Sequence, residues 1–218
     1  MTEPLDRSED FGRDVLLIFL KAPRLGTVKT RLIPALGVER STAVYRRLAE
    51  ETVARTGGSE RPWTTRICVS PDDAGPEVSA WLGPLHRLRP QGTGDLGARL
   101  SRAFDDAFAA GARRVAVIGT DAPDLSAADV AALFAALDAV DVAVSPAADG
   151  GYAGLALRSR RPELFTDMPW STARVCAETL TRAHAAALRT AALRTVRDVD
   201  EPADWAALAD DVRARLLR

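Results

Sequence analysis

Short β-branched or apolar runs alternate along this 218-residue chain with longer stretches of Ala, Leu and Arg at helical spacing, and that alternation leaves few folds open. Strands are expected at 14–20, 65–70, 85–90, 114–119, 141–145, 153–158 and 188–196. Helices are expected at 39–56, 74–82, 96–110, 127–139, 172–187 and 201–217. Strand–helix alternation over the first two thirds implies βαβ units, hence an α/β fold with a mostly parallel sheet covered on both faces. Residues 115–118 and 142–144 are apolar throughout, as doubly covered strands are. Ser126, with Asp129 three residues on, is placed to cap the fourth helix, and Pro202 falls in the first turn of the last. In sheets of this kind the ligand crevice lies beyond the carboxyl ends of the strands. The loops that follow the strands are therefore where chemistry is sought.

The chain is long enough for one large domain that buries roughly 70% of its unfolded surface. Residues 14–218 are expected to form it, behind a polar, acid-rich tail at 1–13 that reads as disordered. A formal net charge of -1, with 29 basic residues spread along the chain in no run of five, gives no electrostatic reason to bind nucleic acid. The apolar run at 15–20 is too short to span a membrane and lacks a cleavage pattern, so neither membrane nor secretory leader is expected. Cys68 and Cys176 lie in apolar segments and read as buried thiols, which suits a reducing cytoplasm.

Three post-strand clusters carry the chemistry: Lys29-Thr30-Arg31, Gly119-Thr120-Asp121 and Asp149-Gly150-Gly151-Tyr152. Two supply carboxylates and one supplies fixed positive charge, the equipment for a metal-bound di- or triphosphate at the edge of a parallel sheet. The first loop, 21–32, holds Lys21, Arg24, Lys29 and Arg31, with Pro23 and Gly26 breaking regular structure. In an extended loop Lys29 and Arg31 would share a side and grip neighbouring phosphates; the alternative is a solvated basic loop. The stretch is neither a P-loop nor a Rossmann fingerprint, because Gly26 stands alone. A second loop, 91–99, reads Gln-Gly-Thr-Gly-Asp-Leu-Gly-Ala-Arg, which permits close approach of a flat ligand or is an ordinary Gly-rich turn capped by Asp95. Asp149-Gly150 is equally a hairpin turn signal. Asp200 is read either as the N-cap of the last helix or as a metal ligand, with Asp198 the weaker candidate. Ser171 or Thr172 is expected to cap the helix that follows, and Tyr45, Trp63, Trp81 and Trp205 to pack.

Residues 19–23, Phe-Leu-Lys-Ala-Pro, followed by Gly26-x-Val28-Lys29-Thr30-Arg31-Leu32, resemble the opening motif of a bacterial family with a GT-A-like nucleotide-diphospho-sugar transferase fold. Its members are described as radical-SAM/selenodomain-associated transferases and arsenosugar-biosynthesis glycosyltransferases. The family's Gln-x-x-Gly-Asp-Leu-Gly-x-Arg pattern is matched at 91–99, and its Trp-Ser-Thr triplet at 170–172. The likeness runs from about 15 to 208 and departs at Leu20, Leu25, Ala122 and the pair Ala153-Gly154.

The resemblance implies a three-layer α/β/α sandwich of GT-A type. It also implies roles: Lys21 and Gly26 with the nucleotide, Gln91, Leu96 and Gly97 on the base, and Mg²⁺ or Mn²⁺ on Asp121 and Asp200. Lys29 and Arg31 would neutralise the leaving diphosphate. Gly150, Gly151, Tyr152 and Trp170 would touch sugar or acceptor, and Asp149 would hold hydroxyls or act as base. The activity so implied is metal-dependent transfer of a sugar from a nucleoside-diphosphate sugar to a small acceptor. The same motifs resemble 2-phospho-lactate guanylyltransferase, which makes nucleotidyl transfer from an NTP the rival. An idle sugar-nucleotide sensor is the rival of another class.

Overall fold

The computed structural model describes residues 14–218, so the tail expected at 1–13 lies outside the described residues. Seven strands form one sheet: β1 (Asp14–Lys21), β2 (Thr64–Ser70), β3 (Leu88–Pro90), β4 (Arg114–Ile118), β5 (Val142–Pro146), β6 (Tyr152–Leu157) and β7 (Thr190–Ala192). Their order is β3-β2-β1-β4-β6-β5-β7. β6 runs antiparallel to both neighbours and the other pairings are parallel, so β1, β2, β3, β4 and β5 all point their carboxyl ends at one edge.

Among the described residues eight α-helices accompany the sheet: α1 (Ile33–Leu36), α2 (Val38–Thr56), α3 (Gly75–Leu82), α4 (Leu96–Ala109), α5 (Ala127–Ala136), α6 (Val175–Ala185), α7 (Pro202–Ala207) and α8 (Asp210–Leu216). Alternation along β1 decides which strand residues meet which layer. Leu16, Ile18 and Leu20 pack with Val53 of α2, Val78 of α3 and Val130, Leu133 and Phe134 of α5. Val15 and Leu17 pack on the opposite face with Leu100 and Phe104 of α4 and Cys176 and Ala183 of α6. The result is the three-layer α/β fold expected, with both cysteines free and buried.

The capping signals hold at α4 and α5. Asp95 accepts the Ala98 N–H at 2.8 Å, and Ser126 and Asp129 form a reciprocal capping box. Four expectations fail. The strand expected over 85–90 forms only at Leu88–Pro90. The helix expected from 172 begins only at Val175, with Arg174 as an N-cap that makes no side-chain bond, because the Thr172 hydroxyl is turned to the Pro169 carbonyl at 2.7 Å. The strand expected over 188–196 shrinks to three residues, and a further bridge forms just beyond β5, between Ala147 and Val196. The helix expected over 201–217 is split by extended backbone at Leu208 and Ala209. The split lets Trp205 of α7 and Leu216 of α8 enter one cluster with Leu32, Val44, Leu48 and Val199.

Arg194 ties the segment after β7 to the start of α5. Its guanidinium donates to both Asp129 carboxylate oxygens, at 2.5 and 2.7 Å, and to the Asp124 carbonyl at 2.9 Å. The forked pair holds the Asp129 carboxyl down at about 2, against an ordinary 3.8. A carboxyl depressed on folding contributes stability above its unfolded pKa and loses it as pH falls through its folded pKa. Arg194→Met is therefore expected to lower the unfolding free energy by about 1 kcal/mol at pH 7, discounted for the exposure of the pair. The gap between wild type and variant should close as pH falls from about 4 to about 2, as read from urea unfolding at each pH.

Candidate functional site

A cavity of about 480 Å³ opens at the carboxyl edge of the sheet. Its floor is the end of β1 and β4, and its walls come from the loops after β1, β3 and β4 and from residues 152–153, 171 and 200. Eight residues read from the sequence line it: Lys21, Lys29, Arg31, Gln91, Leu96, Asp121, Tyr152 and Asp200.

Lys29 is the centre of the arrangement. Its neighbours Val28 and Leu32 are buried, and its own backbone takes the left-handed conformation, φ 47°. Thr30–Leu32 is a 3-10 turn, so the loop is not extended and Lys29 and Arg31 diverge. The Lys29 ammonium turns inward, its side chain only 3% exposed, and pairs with Asp121 Oδ1 and with Asp200 Oδ1, the latter at 2.6 Å. Burial alone would weaken the charge, but the two carboxylates outweigh it and the ammonium is held above its ordinary pKa. Arg31 points outward, 61% exposed, to a loose 3.5 Å pair with Glu201.

Residues 171 positions apart in sequence meet because the last segment is laced across the sheet edge. The Val196 N–H bonds the Pro146 carbonyl and the Ala148 N–H bonds the Val196 carbonyl, carrying the chain past β5. The Val199 N–H then bonds the Asp121 carbonyl at 3.0 Å, which sets Asp200 beside Asp121. Asp200 is not the N-cap of α7. Glu201 takes that place in a capping box with Asp204, which leaves the Asp200 carboxylate to Lys29.

The two aspartates are the residues that could hold a divalent cation. Their side chains are 45% and 40% exposed and present hard oxygen donors, which suit Mg²⁺ or Mn²⁺. Among the described residues no group of three or more His, Cys, Asp and Glu is placed to hold a metal. A pair of carboxylates completed by substrate oxygens and water fits the habit of Mg²⁺.

Gln91 is buried, and its Nε2 donates to the carbonyls of Leu20 and Cys68 at 3.2 and 2.9 Å. Its donors are thereby committed, and the amide oxygen is what it can offer a ligand. The rest of the loop is stapled from outside. Arg102 donates to the Gln91 and Thr93 carbonyls, Arg99 to the Gly94 carbonyl, and the Gly92 N–H donates to Asp72.

Six of the expected contacts lie outside the cavity lining. A Cβ on Gly97 would meet the Phe165 carbonyl at 2.3 Å and Trp170 Nε1 at 2.7 Å, so this glycine serves the close approach of the 165–170 segment to α4. Trp170 packs into the same layer, its Nε1 buried and without a hydrogen-bond partner. Gly150, at φ 89°, sits against the backbone of Ala173 and accepts the Cys176 N–H through its carbonyl. Asp149 accepts the Gly151 N–H at 2.8 Å, closing the turn between β5 and β6 as the hairpin reading had it. Gly26 lies in the exposed part of the first loop. Of the pair noted after Tyr152, Ala153 does line the cavity, while Gly154 faces Leu133 of α5. Asp198 is half-buried, and burial, with the nearby Asp149 charge, pushes its carboxyl up to about 6.

Thr120 and Ser171, from the Gly119-Thr120-Asp121 cluster and the Trp-Ser-Thr triplet, also line the cavity, and Tyr45 does so with no sequence signal of a site. The Tyr45 hydroxyl accepts the Lys21 N–H at 2.6 Å and donates to the Lys21 carbonyl at 3.0 Å, clamping the exit of β1. In sequence Tyr45 is one more inward position of an amphipathic helix, and nothing distinguishes it.

A family model described as "Uncharacterized protein conserved in bacteria (DUF2064)" matches residues 53–172. No curated protein matches the chain. The crystal structure of a "putative nucleotide-diphospho-sugar transferase" from Desulfovibrio desulfuricans G20 is similar at 30% identity and a TM-score of 0.88, covering 94% of each chain. The 4-diphosphocytidyl-2C-methyl-D-erythritol synthase of Anaerococcus prevotii DSM 20548 superposes at 11% identity and a TM-score of 0.57, over 95% of this chain and 97% of its own. A CMP:2-keto-3-deoxy-manno-octonic acid synthetase solved with CTP does so at 16% identity and 0.51, over 93% and 97%. These two share the fold alone. The chain belongs to the bacterial family that the matching model defines, and its fold is that of the nucleotide-diphospho-sugar transferases.

Proposed function

We propose that this protein is a metal-dependent glycosyltransferase that moves a sugar from a nucleoside-diphosphate sugar to a small acceptor. The observation that carries the reading is the Asp121–Lys29–Asp200 constellation beside a cavity that Lys21, Arg31, Gln91 and Leu96 also line. The likeness to the Desulfovibrio protein, which is named for this class of substrate, supports it.

In this reading the base lies against Leu96 and the Gln91 amide oxygen, and the diphosphate lies over Lys29. A divalent cation on Asp121 and Asp200 would draw charge from the diphosphate as it leaves. Lys29 adds a positive charge fixed in place by burial, and Arg31, at the rim, is free to swing onto a phosphate. Charge positioned before reaction costs no reorganisation during it, which is why such groups dominate catalysis of this kind. No covalent nucleophile is required. With Asp149 engaged in its turn, the acceptor's proton has no assigned base on this side of the cavity, which suits a path in which the leaving diphosphate itself takes the proton.

Calorimetric titration with UDP-, GDP-, CDP- and dTDP-sugars and the matching NTPs, with Mn²⁺ and with EDTA, tests the proposal. Metal-dependent binding of one diphosphate-sugar series is expected, with sugar transfer and no pyrophosphate. Pyrophosphate release from an NTP would replace it with nucleotidyl transfer, and tight binding with no turnover over a broad acceptor panel would leave a sensor. Asp121→Asn should lower transfer by about 100-fold or more and abolish the metal dependence of binding; unchanged turnover would remove Asp121 from the site. Gln91→Leu should weaken nucleotide binding and also destabilise the fold by about 1–2 kcal/mol, since two hydrogen bonds to main-chain carbonyls go with it. Melting curves beside the titrations read both effects.

A further inference from the structure

We infer that Lys29 is a resident cation that closes the acidic pair to free divalent ions and makes the metal enter with the nucleotide. The inference rests on the metal assignment to Asp121 and Asp200 made above, and it concerns the order in which that site fills.

Two features of Lys29 carry it. Its ammonium contacts both carboxylates at once, using Oδ1 of each. It is also held there: the side chain is buried, the flanking Val28 and Leu32 are buried, and the left-handed backbone at 29 leads straight into the 3-10 turn at 30–32. A lysine on a solvated loop could swing away from an arriving metal, but this one has little room to do so.

The charge balance then decides which species is welcome. One ammonium against two carboxylates leaves the cluster a single negative charge, and Lys21 and Arg31 on the same lining bring the cavity to a net charge of +1. A bare divalent ion would raise that positive charge further beside a fixed ammonium in a partly water-excluded site, where like charges repel strongly. A divalent ion carrying the phosphates of a nucleoside diphosphate brings its own negative charge. The third N–H of Lys29 is then a donor for a phosphate oxygen. The lysine need not leave: it rejects the naked ion and greets the complex. Without Lys29 the paired carboxylates would attract a bare ion as any two neighbouring carboxylates do.

The test titrates Mn²⁺ into the full-length protein and follows the free-ion EPR signal, with and without UDP, GDP, CDP and ADP, for wild type, Lys29→Gln and Lys29→Arg. Wild type and Lys29→Arg are expected to bind Mn²⁺ alone weakly, and about tenfold or more tightly once one of the diphosphates is present. Lys29→Gln is expected to bind Mn²⁺ alone about tenfold or more tightly than wild type. Equal affinity of wild type and Lys29→Gln for Mn²⁺ alone overturns the inference and leaves the metal assignment standing. Absence of Mn²⁺ binding in every variant, with or without nucleotide, removes the metal assignment and the inference with it. Should Lys29→Gln melt below the assay temperature, wild type decides: tight uptake of Mn²⁺ without nucleotide overturns the inference.

Discussion

The working edge of this protein hangs on one buried ammonium. Lys29 arrives from the loop after β1, Asp121 from the end of β4 and Asp200 from the far end of the chain, and the three meet in a single cluster. Removing the half-exposed carboxylates would leave the buried ammonium uncompensated, which costs far more than the net value of the intact set. The ion pairs therefore pull three distant segments into register. The Val199–Asp121 backbone bond and the Leu32–Val199–Trp205 cluster then hold them there through contacts that carry no charge. The left-handed backbone at Lys29 is a local cost that only this surrounding structure makes tolerable.

Around that cluster the cavity is built to be rigid. Arg99 and Arg102 hold the carbonyls of the loop after β3, Gln91 is threaded between β1 and β2, and Tyr45 grips both the N–H and the carbonyl of Lys21. Each of these bonds is modest alone. Together they fix the backbone before a ligand arrives, so binding need not order the loop. Arg31, exposed and loosely paired, is able to move on ligand binding.

Much of the fold was legible because its signals are local. The apolar runs, the Asp95 and Ser126 caps and Pro202 depend on a few adjacent residues, and each appears where it was expected. Two of the failures are of one kind: the last helix breaks at Leu208 and the last strand dissolves after Ala192, in each case where a distant partner competes with local propensity. The helix after Trp170 starts late for a local reason, the Thr172 hydroxyl being bonded to the Pro169 carbonyl. The glycines carry an ambiguity that local context does not resolve. At Gly97 and Gly150, whose loops read either as ligand contacts or as ordinary turns, a Cβ would meet Phe165, Trp170 and Ala173. A glycine's sequence context says that something comes close; it does not say what.

The sequence by itself determined the alternating architecture, the edge at which chemistry must sit, and the residue types that gather there. Periodicity and charge are properties of neighbouring residues, so they survive without a structure. Only the tertiary structure decided that Lys29 and Arg31 part company, that Asp200 leaves the helix cap to Glu201, and that Asp149 closes a hairpin rather than facing the cavity. The reason is geometric. Which way a charged side chain turns depends on where its counter-charge lies, and here that counter-charge comes from 171 residues away.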